Sequence, residues 1–402
     1  MDIKTLALVT NLQHPTGLNM VRSLTKERIP VIGLTNSPQS PCAHTKLCRI
    51  IPYGESTGKN LIQTLLNLSC QFKSKPVLFP ASDPDVITIS ENREILQPFY
   101  NVILPSKNIV NTLMFKNSFS RWAKSLGFSS PNFLIFDKNS FSQNLKIKFP
   151  CAIKPNFKTK RWGEKFPLDK IIFIHNMDEF YKVMPIALQE TEEVLVQEWV
   201  PGAEKNIVFC LGYFNRSSDP LATLTVKKIR QWPPNSGTGC LVQAENLDKI
   251  RELTINIMKT ARYVGIGSIE FKYDDIDKDF KAIEVTVGRP DLQIYLSTIC
   301  GINIPAIAYW DAIGEELIPI HGPKDNDVAI KWLDEIADFE AARYNIREGK
   351  LSWLEWLNSL RNVKVLALWN MNDPKPFILT IKQLVKAKLQ KIFLIKSDMT
   401  SH

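Results

Sequence analysis

Seven cysteines are scattered through the 402 residues, and none sits in a C-x-x-C pair. An odd, irregular set of this kind excludes a disulfide framework and a structural zinc site, and it fits a reducing compartment. No apolar run approaches the about 20 residues that a membrane-spanning helix needs. The opening MDIKTLALVTNLQHP has an apolar stretch too short for a signal-peptide core, so it reads as a first strand and the expected location is cytoplasmic. Glycine-rich nucleotide loops are missing as well. Only Gly17 follows the first strand, which excludes a dinucleotide fingerprint, and GESTGKN at Gly54 to Asn60 is one residue short of a P-loop and ends in Asn. There is no internal repeat and no low-complexity segment.

What remains is an ordinary globular composition. With 44% hydrophobic and 23% charged residues, the chain is long enough for two or three packed domains. A formal net charge of +9 favours anionic partners without choosing among them. Lysines and aromatics are not interleaved along any strand, which argues against nucleic acid as a partner. Residues 4 to 106 alternate strand-like and helix-like segments (TLALVT, PVIGLT, RIIPY, PVLFPAS, NVILPS), predicting a parallel sheet with helices on both faces. Ligands of such sheets sit beyond the carboxyl ends of the strands, so Thr10 to Thr16 and Ala81 to Asp85 are candidate substrate loops.

The most informative stretch is Gly265 to Arg289. It reads as two strands, Ser268 to Tyr273 and Phe280 to Val285, joined by an acidic turn. Each strand carries one glutamate, Glu270 or Glu284, preceded by isoleucine. A carboxylate among apolar neighbours is costly without a compensating cation, and two across a hairpin repel each other. A divalent ion between them removes both penalties, and magnesium takes one or two carboxylates together with substrate phosphates. The plain alternative is a half-exposed hairpin with one or both glutamates in solvent.

Upstream, a helix predicted over Asn108 to Gly127 carries Lys116, and Lys154 ends the apolar strand of FPCAIKPN. Each, taken alone, also reads as a solvated surface charge. The strand EVLVQEWVPG presents Gln197, Glu198, Trp199 and Val200 at its end, suited to an adenine edge, with Glu204 beyond it placed to accept from ribose hydroxyls. Its bland reading is an edge strand entering a turn. KKIRQWPPNSGTG, with Lys228 and Arg230, reads as a basic loop. After His321 a helical, tryptophan-rich part (Trp332, Trp353, Trp356) and a strand-like VKVLALW precede a closing stretch with Ile378, Ile381, Val385, Leu389 and Ile392 at helical spacing and Lys382, Lys386 and Lys391 elsewhere on the wheel. Such a helix packs on its own protein, the preferred reading for a short segment without Trp, or makes a weak peripheral contact with a membrane.

Lys116, Lys154, the run Gln197 to Gly202, Glu270 and Glu284 together resemble, in order and spacing, the carboxylate-amine ligase branch of the ATP-grasp superfamily over residues 1 to 320. The resemblance implies a fold of mixed α/β and α+β class: a Rossmann-like domain at 1–107, a small nucleotide-clamping subdomain at 108–202, a central subdomain with the metal site at 203–320, and a helical extension at 321–402. It implies ATP and Mg2+ as cofactors, with Lys116 and Lys154 on the phosphates, Gln197 to Val200 at adenine, Glu204 at ribose, and Glu270 and Glu284 on magnesium. The superfamily commonly has asparagine two residues past the second glutamate, where this chain has Thr286, a weaker ligand. The implied reaction joins a small-molecule carboxylate to an amine through an acylphosphate, with Arg289, Arg230 and Lys228 as the cations on the transferred group and the basic segment Asn156 to Lys165 closing over it. An ATP-binding protein of this fold that has lost catalysis, serving as scaffold or regulator, is the alternative that Thr286 raises. Neither the identity of the substrates nor the oligomeric state is legible.

Overall fold

A computed structural model describes residues 5–54, 58–139, 147–157, 160–166, 171–323 and 328–400, the side chains of Lys160 and of residues 391–400 excepted. Parts of the P-loop lookalike and of the segment Asn156 to Lys165 therefore lie outside the described residues. The chain forms two compact units, residues 1–102 with 366–402, and residues 103–365.

The first unit is built on a parallel sheet of β1 (Ala7–Val9), β2 (Val31–Thr35), β3 (Arg49–Pro52), β4 (Val77–Phe79) and β5 (Asn101–Val102), in the order β3-β2-β1-β4-β5. Helices α1 (Pro15–Lys26), α2 (Gly58–Ser69), α3 (Asp83–Glu91) and α4 (Arg93–Leu96) connect the strands. Every residue of β1, β2 and β4 is buried, as expected for strands covered on both faces. Gly17 has a packing role: a Cβ there would lie 2.5 Å from the Asn11 carbonyl oxygen, so the start of α1 can approach the preceding loop only as glycine.

In the second unit, α5 (Lys107–Met114) and α6 (Lys116–Ser125) replace the single helix expected at 108–127, because Phe115 adopts extended backbone between them. A four-stranded antiparallel sheet follows, with β6 (Phe133–Asp137), β7 (Cys151–Pro155), β8 (Ile172–Ile174) and β9 (Glu193–Glu198) in the order β6-β9-β7-β8. Helices α7 (Lys160–Lys165) and α8 (Met177–Glu190) belong to this layer. Trp162 of α7 is fully buried with Phe180, Met184 and Val196, so the basic segment expected to act as a loose lid is tied into this core.

The largest sheet has eight strands: β10 (Ile207–Phe214), β11 (Pro220–Trp232), β12 (Thr238–Ala244), β13 (Gly265–Asp274), β14 (Asp279–Val287), β15 (Ile320–His321), β16 (Lys331–Leu333) and β17 (Val363–Leu366). Its main path runs β14-β13-β10-β11-β12-β16-β17, with β15 beside β11. Around it lie α9 (Asp248–Thr260), α10 (Ile294–Ile299), α11 (Ile304–Ala312), α12 (Glu335–Arg347) and α13 (Trp353–Ser359). The sequence KKIRQW, read as a basic loop, is the end of β11, and the turn is confined to residues 233–237.

The part after His321 does not form one helical extension. Residues 331–333 and 363–366 add strands to the large sheet, with Trp332 fully buried, whereas the last segment joins the first unit and ends in α14 (Lys375–Thr400). Its attachment there is polar and buried. Arg22 donates to the Ala367 and Leu368 carbonyls at 3.1 and 2.6 Å, and Asp373 accepts from the Thr45 hydroxyl at 2.7 Å and the Lys46 amide at 3.1 Å. Arg22 and Asp373 lie 3.8 Å apart and are screened from water, so each charge leans on the other. Asp373→Ala is expected to destabilise the protein by about 3 kcal/mol, because Arg22 then stays buried without its counter-charge; an unchanged urea midpoint would show that the attachment does not depend on this pair.

Candidate active site

Strands β13 and β14 place Glu270 directly opposite Glu284, and Ser268 opposite Thr286. Alternation along a strand puts Ser268, Glu270 and Lys272 on one face, and cross-strand pairing puts Glu284 and Thr286 on the same face. A bulge follows at once: Phe271 pairs with Ala282, leaving Ile283 as an extra residue beside Glu284. The Glu270 side chain is 22% exposed and that of Glu284 is 58% exposed, so the pair looks out from a partly buried platform.

Each carboxylate already has a lysine. Lys228 reaches Glu270 at 2.8 Å, and Lys116 lies 3.8 Å from Glu284. Burial pushes the Glu270 carboxyl above the usual carboxylate range, against the pull of Lys228 and with added repulsion from Glu284. Lys154, on β7, donates to the Gln197 side-chain oxygen at 2.6 Å. Desolvation lowers its pKa to about 8, the field of Glu284 opposes that shift, and Lys116 and Lys272 deepen it. Lys272 lies over the Trp199 ring at 4.4 Å from its centroid, and burial lowers its pKa to about 8 as well, against the fields of Glu204 and Asp275. Lys228 and Lys116 thus pair with the two facing carboxylates and Lys154 stands in the field of both, while Lys272 lies by Trp199 toward Glu204 and Asp275.

The remaining expected contacts sit at the end of β9. Glu198 is fixed by Asn132, whose side chain donates to it at 2.9 Å and whose carbonyl accepts its amide at 2.9 Å. The Trp199 ring also meets Phe173 edge-on at 4.7 Å, and Val200 is buried. Glu204 accepts from the Gln231 side chain at 3.2 Å and the Asn235 amide at 3.3 Å.

Thr286 donates to Asp291 at 2.7 Å, Ser268 donates to the other oxygen of the same carboxylate, and Arg289 lies 3.9 Å from it. Asp291 also raises the Glu270 pKa. Among the described residues no three His, Cys, Asp or Glu side chains form a metal-ligating group.

Arg230 does not join this group, contrary to expectation. A bulge at Ile229 breaks the alternation: Lys228 pairs with Val242 but Arg230 with Leu241, which turns the two side chains to opposite faces. Arg230 makes two hydrogen bonds to Asp338, at 2.8 and 3.2 Å, and a third to the Ser359 hydroxyl at 2.9 Å. Lys272 and Asp291 were missed in the sequence. Lys272 had a usable signal, since it stands two residues after Glu270 and so shares its face. Asp291 lies beyond the turn at Gly288 to Pro290, where no period applies.

In the first unit, the two loops expected to contact substrate bind each other. Thr10 donates to Asp85 at 2.6 Å, and Asn11 donates to the Ala81 carbonyl at 3.0 Å. Burial raises the Asp85 carboxyl pKa.

No family model matches the chain. A curated relative, the carbamoyl-phosphate synthase of Methanobrevibacter smithii, is 23% identical over 229 residues, which are 55% of this chain and 59% of that protein. The chain thus spans about three fifths of the length of the curated relative it matches. The L-amino acid ligase of Bacillus licheniformis superposes with a TM-score of 0.58 at 15% identity, covering 78% of this chain and 75% of that one. The biotin carboxylase domain of Hydrogenobacter thermophilus 2-oxoglutarate carboxylase, solved with MgADP and bicarbonate, gives 0.60 at 13% identity over 80% and 72%. The chain has the ATP-grasp fold. At these identities the likeness speaks to the architecture, and within the ATP-grasp frame the lysine-ringed carboxylate pair belongs to the strands of the large sheet.

An anion bound here would restore the Lys154 ammonium, so binding takes up a proton near pH 8. Affinity for an inorganic polyphosphate such as pyrophosphate is therefore expected to fall as pH rises above about 8 through loss of the Lys154 proton. Calorimetry in buffers of different ionisation enthalpy reads the proton directly, and zero uptake at pH 8 would contradict the assignment.

Proposed function

We propose that the chain is an ATP- and magnesium-dependent ligase that joins a carboxylate to an amine and releases ADP and phosphate. The observation that carries this reading is the facing pair Glu270 and Glu284, with Lys228 and Lys116 as ion-pair partners and Lys154 held at depressed pKa by burial beside them. Two facing carboxylates that repel each other suit a dication, and the lysines beside them suit the phosphates that accompany it. Magnesium fits this donor set together with a triphosphate: Glu270 and Glu284 would hold the metal, and Lys116 and Lys154 would hold phosphate oxygens. When bound, it neutralises phosphate charge in the transfer step.

In this reading Lys116 and Lys154 bind phosphates, Gln197 orients Lys154, Glu198 to Val200 face adenine, and Glu204 takes the ribose. Lys228 and Arg289 neutralise the group in transit, Asp291 orients Thr286 and Arg289, and Thr286 supports the metal side. Arg230 is a structural residue. A carboxylate is a poor electrophile until one of its oxygens bonds to the γ-phosphorus and the bond to ADP breaks. The amine lone pair then attacks the acyl carbon, phosphate leaves, and the nitrogen gives up a proton. The names carried by the relatives, a carbamoyl-phosphate synthase, an L-amino acid ligase and a biotin carboxylase domain, support activation of a carboxylate or bicarbonate in this way. Which acid and which amine this chain uses is left to the screen below.

Phosphate release should be followed over pooled carboxylic acids and amines with MgATP. Turnover is expected only when acid and amine are both present, and Glu284→Gln should lower it at least about 100-fold without shifting thermal unfolding, Glu284 being exposed. ADP binding without turnover under any pool would favour a non-catalytic nucleotide-binding role instead.

A further inference from the structure

The last helix presents a surface that the ligase reading does not use. Along α14 every residue from Ile381 to Gln390 is exposed, so no side of this stretch lies against the rest of the described chain. The expected packing on the protein holds for the start of α14, where Pro376 is buried and the helix lies by Pro41–His44, and not for this stretch. Ile378, Ile381, Val385 and Leu389 are 43%, 38%, 52% and 50% exposed. A helix that leaves such a stripe in water gains stability from a surface that covers it.

Charge indicates what that surface is. Lys375, Lys382, Lys386 and Lys388 lie between residues 375 and 390, and no Asp or Glu does. Lys375, Lys382 and Lys386 each stand three residues before an apolar member of the stripe, Ile378, Val385 and Leu389, so a basic line runs alongside the apolar one. Just before the helix Met371 is 87% exposed, and the partly exposed Trp369 packs on Phe377 at 5.4 Å. A second copy of the helix would bring lysine rows together with no acidic residues to separate them. An anionic lipid surface complements both lines at once. No helix among the described residues is long and apolar enough to cross a membrane, so the contact is with the surface.

We propose that α14 docks the protein on anionic lipid bilayers, with Ile378, Ile381, Val385 and Leu389 entering the interfacial layer and Lys375, Lys382 and Lys386 facing the headgroups. The Arg22 and Asp373 attachment fixes where the helix leaves its unit. Docking is independent of catalysis, since none of these residues belongs to the site above.

The full chain should be sedimented with sucrose-loaded vesicles of phosphatidylcholine, alone or with about one third phosphatidylglycerol. Binding is expected to the anionic vesicles alone and to fall as salt rises. Each lysine is expected to contribute about five-fold, so Lys382→Gln with Lys386→Gln should weaken the partition about 20-fold. Val385→Ser with Leu389→Ser should weaken it as well. Circular dichroism and the urea midpoint confirm that the variants fold. Equal binding to both vesicle types, or none to either, would overturn the proposal. So would light scattering that finds a dimer broken by Val385→Ser with Leu389→Ser in a protein that ignores vesicles.

Discussion

Repulsion among like charges held out of water is the constraint around which the second unit is organised. Glu270 cannot be buried near Glu284 without Lys228, and Lys154 cannot be buried near Lys116 and Lys272 without Gln197 and the field of the glutamates. The raised carboxyl and the lowered ammonium are two expressions of one desolvation. The pairings with Lys228, Lys116 and Gln197 reduce that strain.

Irregularities in the large sheet aim these groups. The extra residue Ile283 sits where Glu284 must turn, and the extra residue Ile229 sends Lys228 to the site and Arg230 to Asp338 on α12. A regular β11 would have put both cations on one face. The smaller sheet contributes Lys154 and Gln197 from adjacent strands, so one side chain positions the other across the β7 and β9 ladder.

Much of this was readable in the chain itself. The β13 and β14 hairpin announces itself through an acidic turn between two strand-like runs, and the parallel sheet through the alternation of strand-like and helix-like segments. Arg230 was grouped with Lys228 because their segment read as a basic loop, whereas it is the bulged end of β11. The strand character of VKVLALW was legible, whereas residues 331–333 passed for part of a helical extension because a strand of three residues is too short to show alternation. Trp332, one of the tryptophans of that part, is fully buried where its strand pairs with β12. Asp291 depends on a turn to come back beneath Ser268 and Thr286, information that only the folded chain contains.

The first unit is assembled from both ends of the described chain, with Asp373 closing on Thr45 and Arg22. During synthesis the ribosome delivers its sheet first and its final segment last, after all 263 residues of the other unit, Ile103 to Val365. The lysine-ringed site can therefore finish folding while Arg22 still waits for its counter-ion, and the order of translation is not the order of completion.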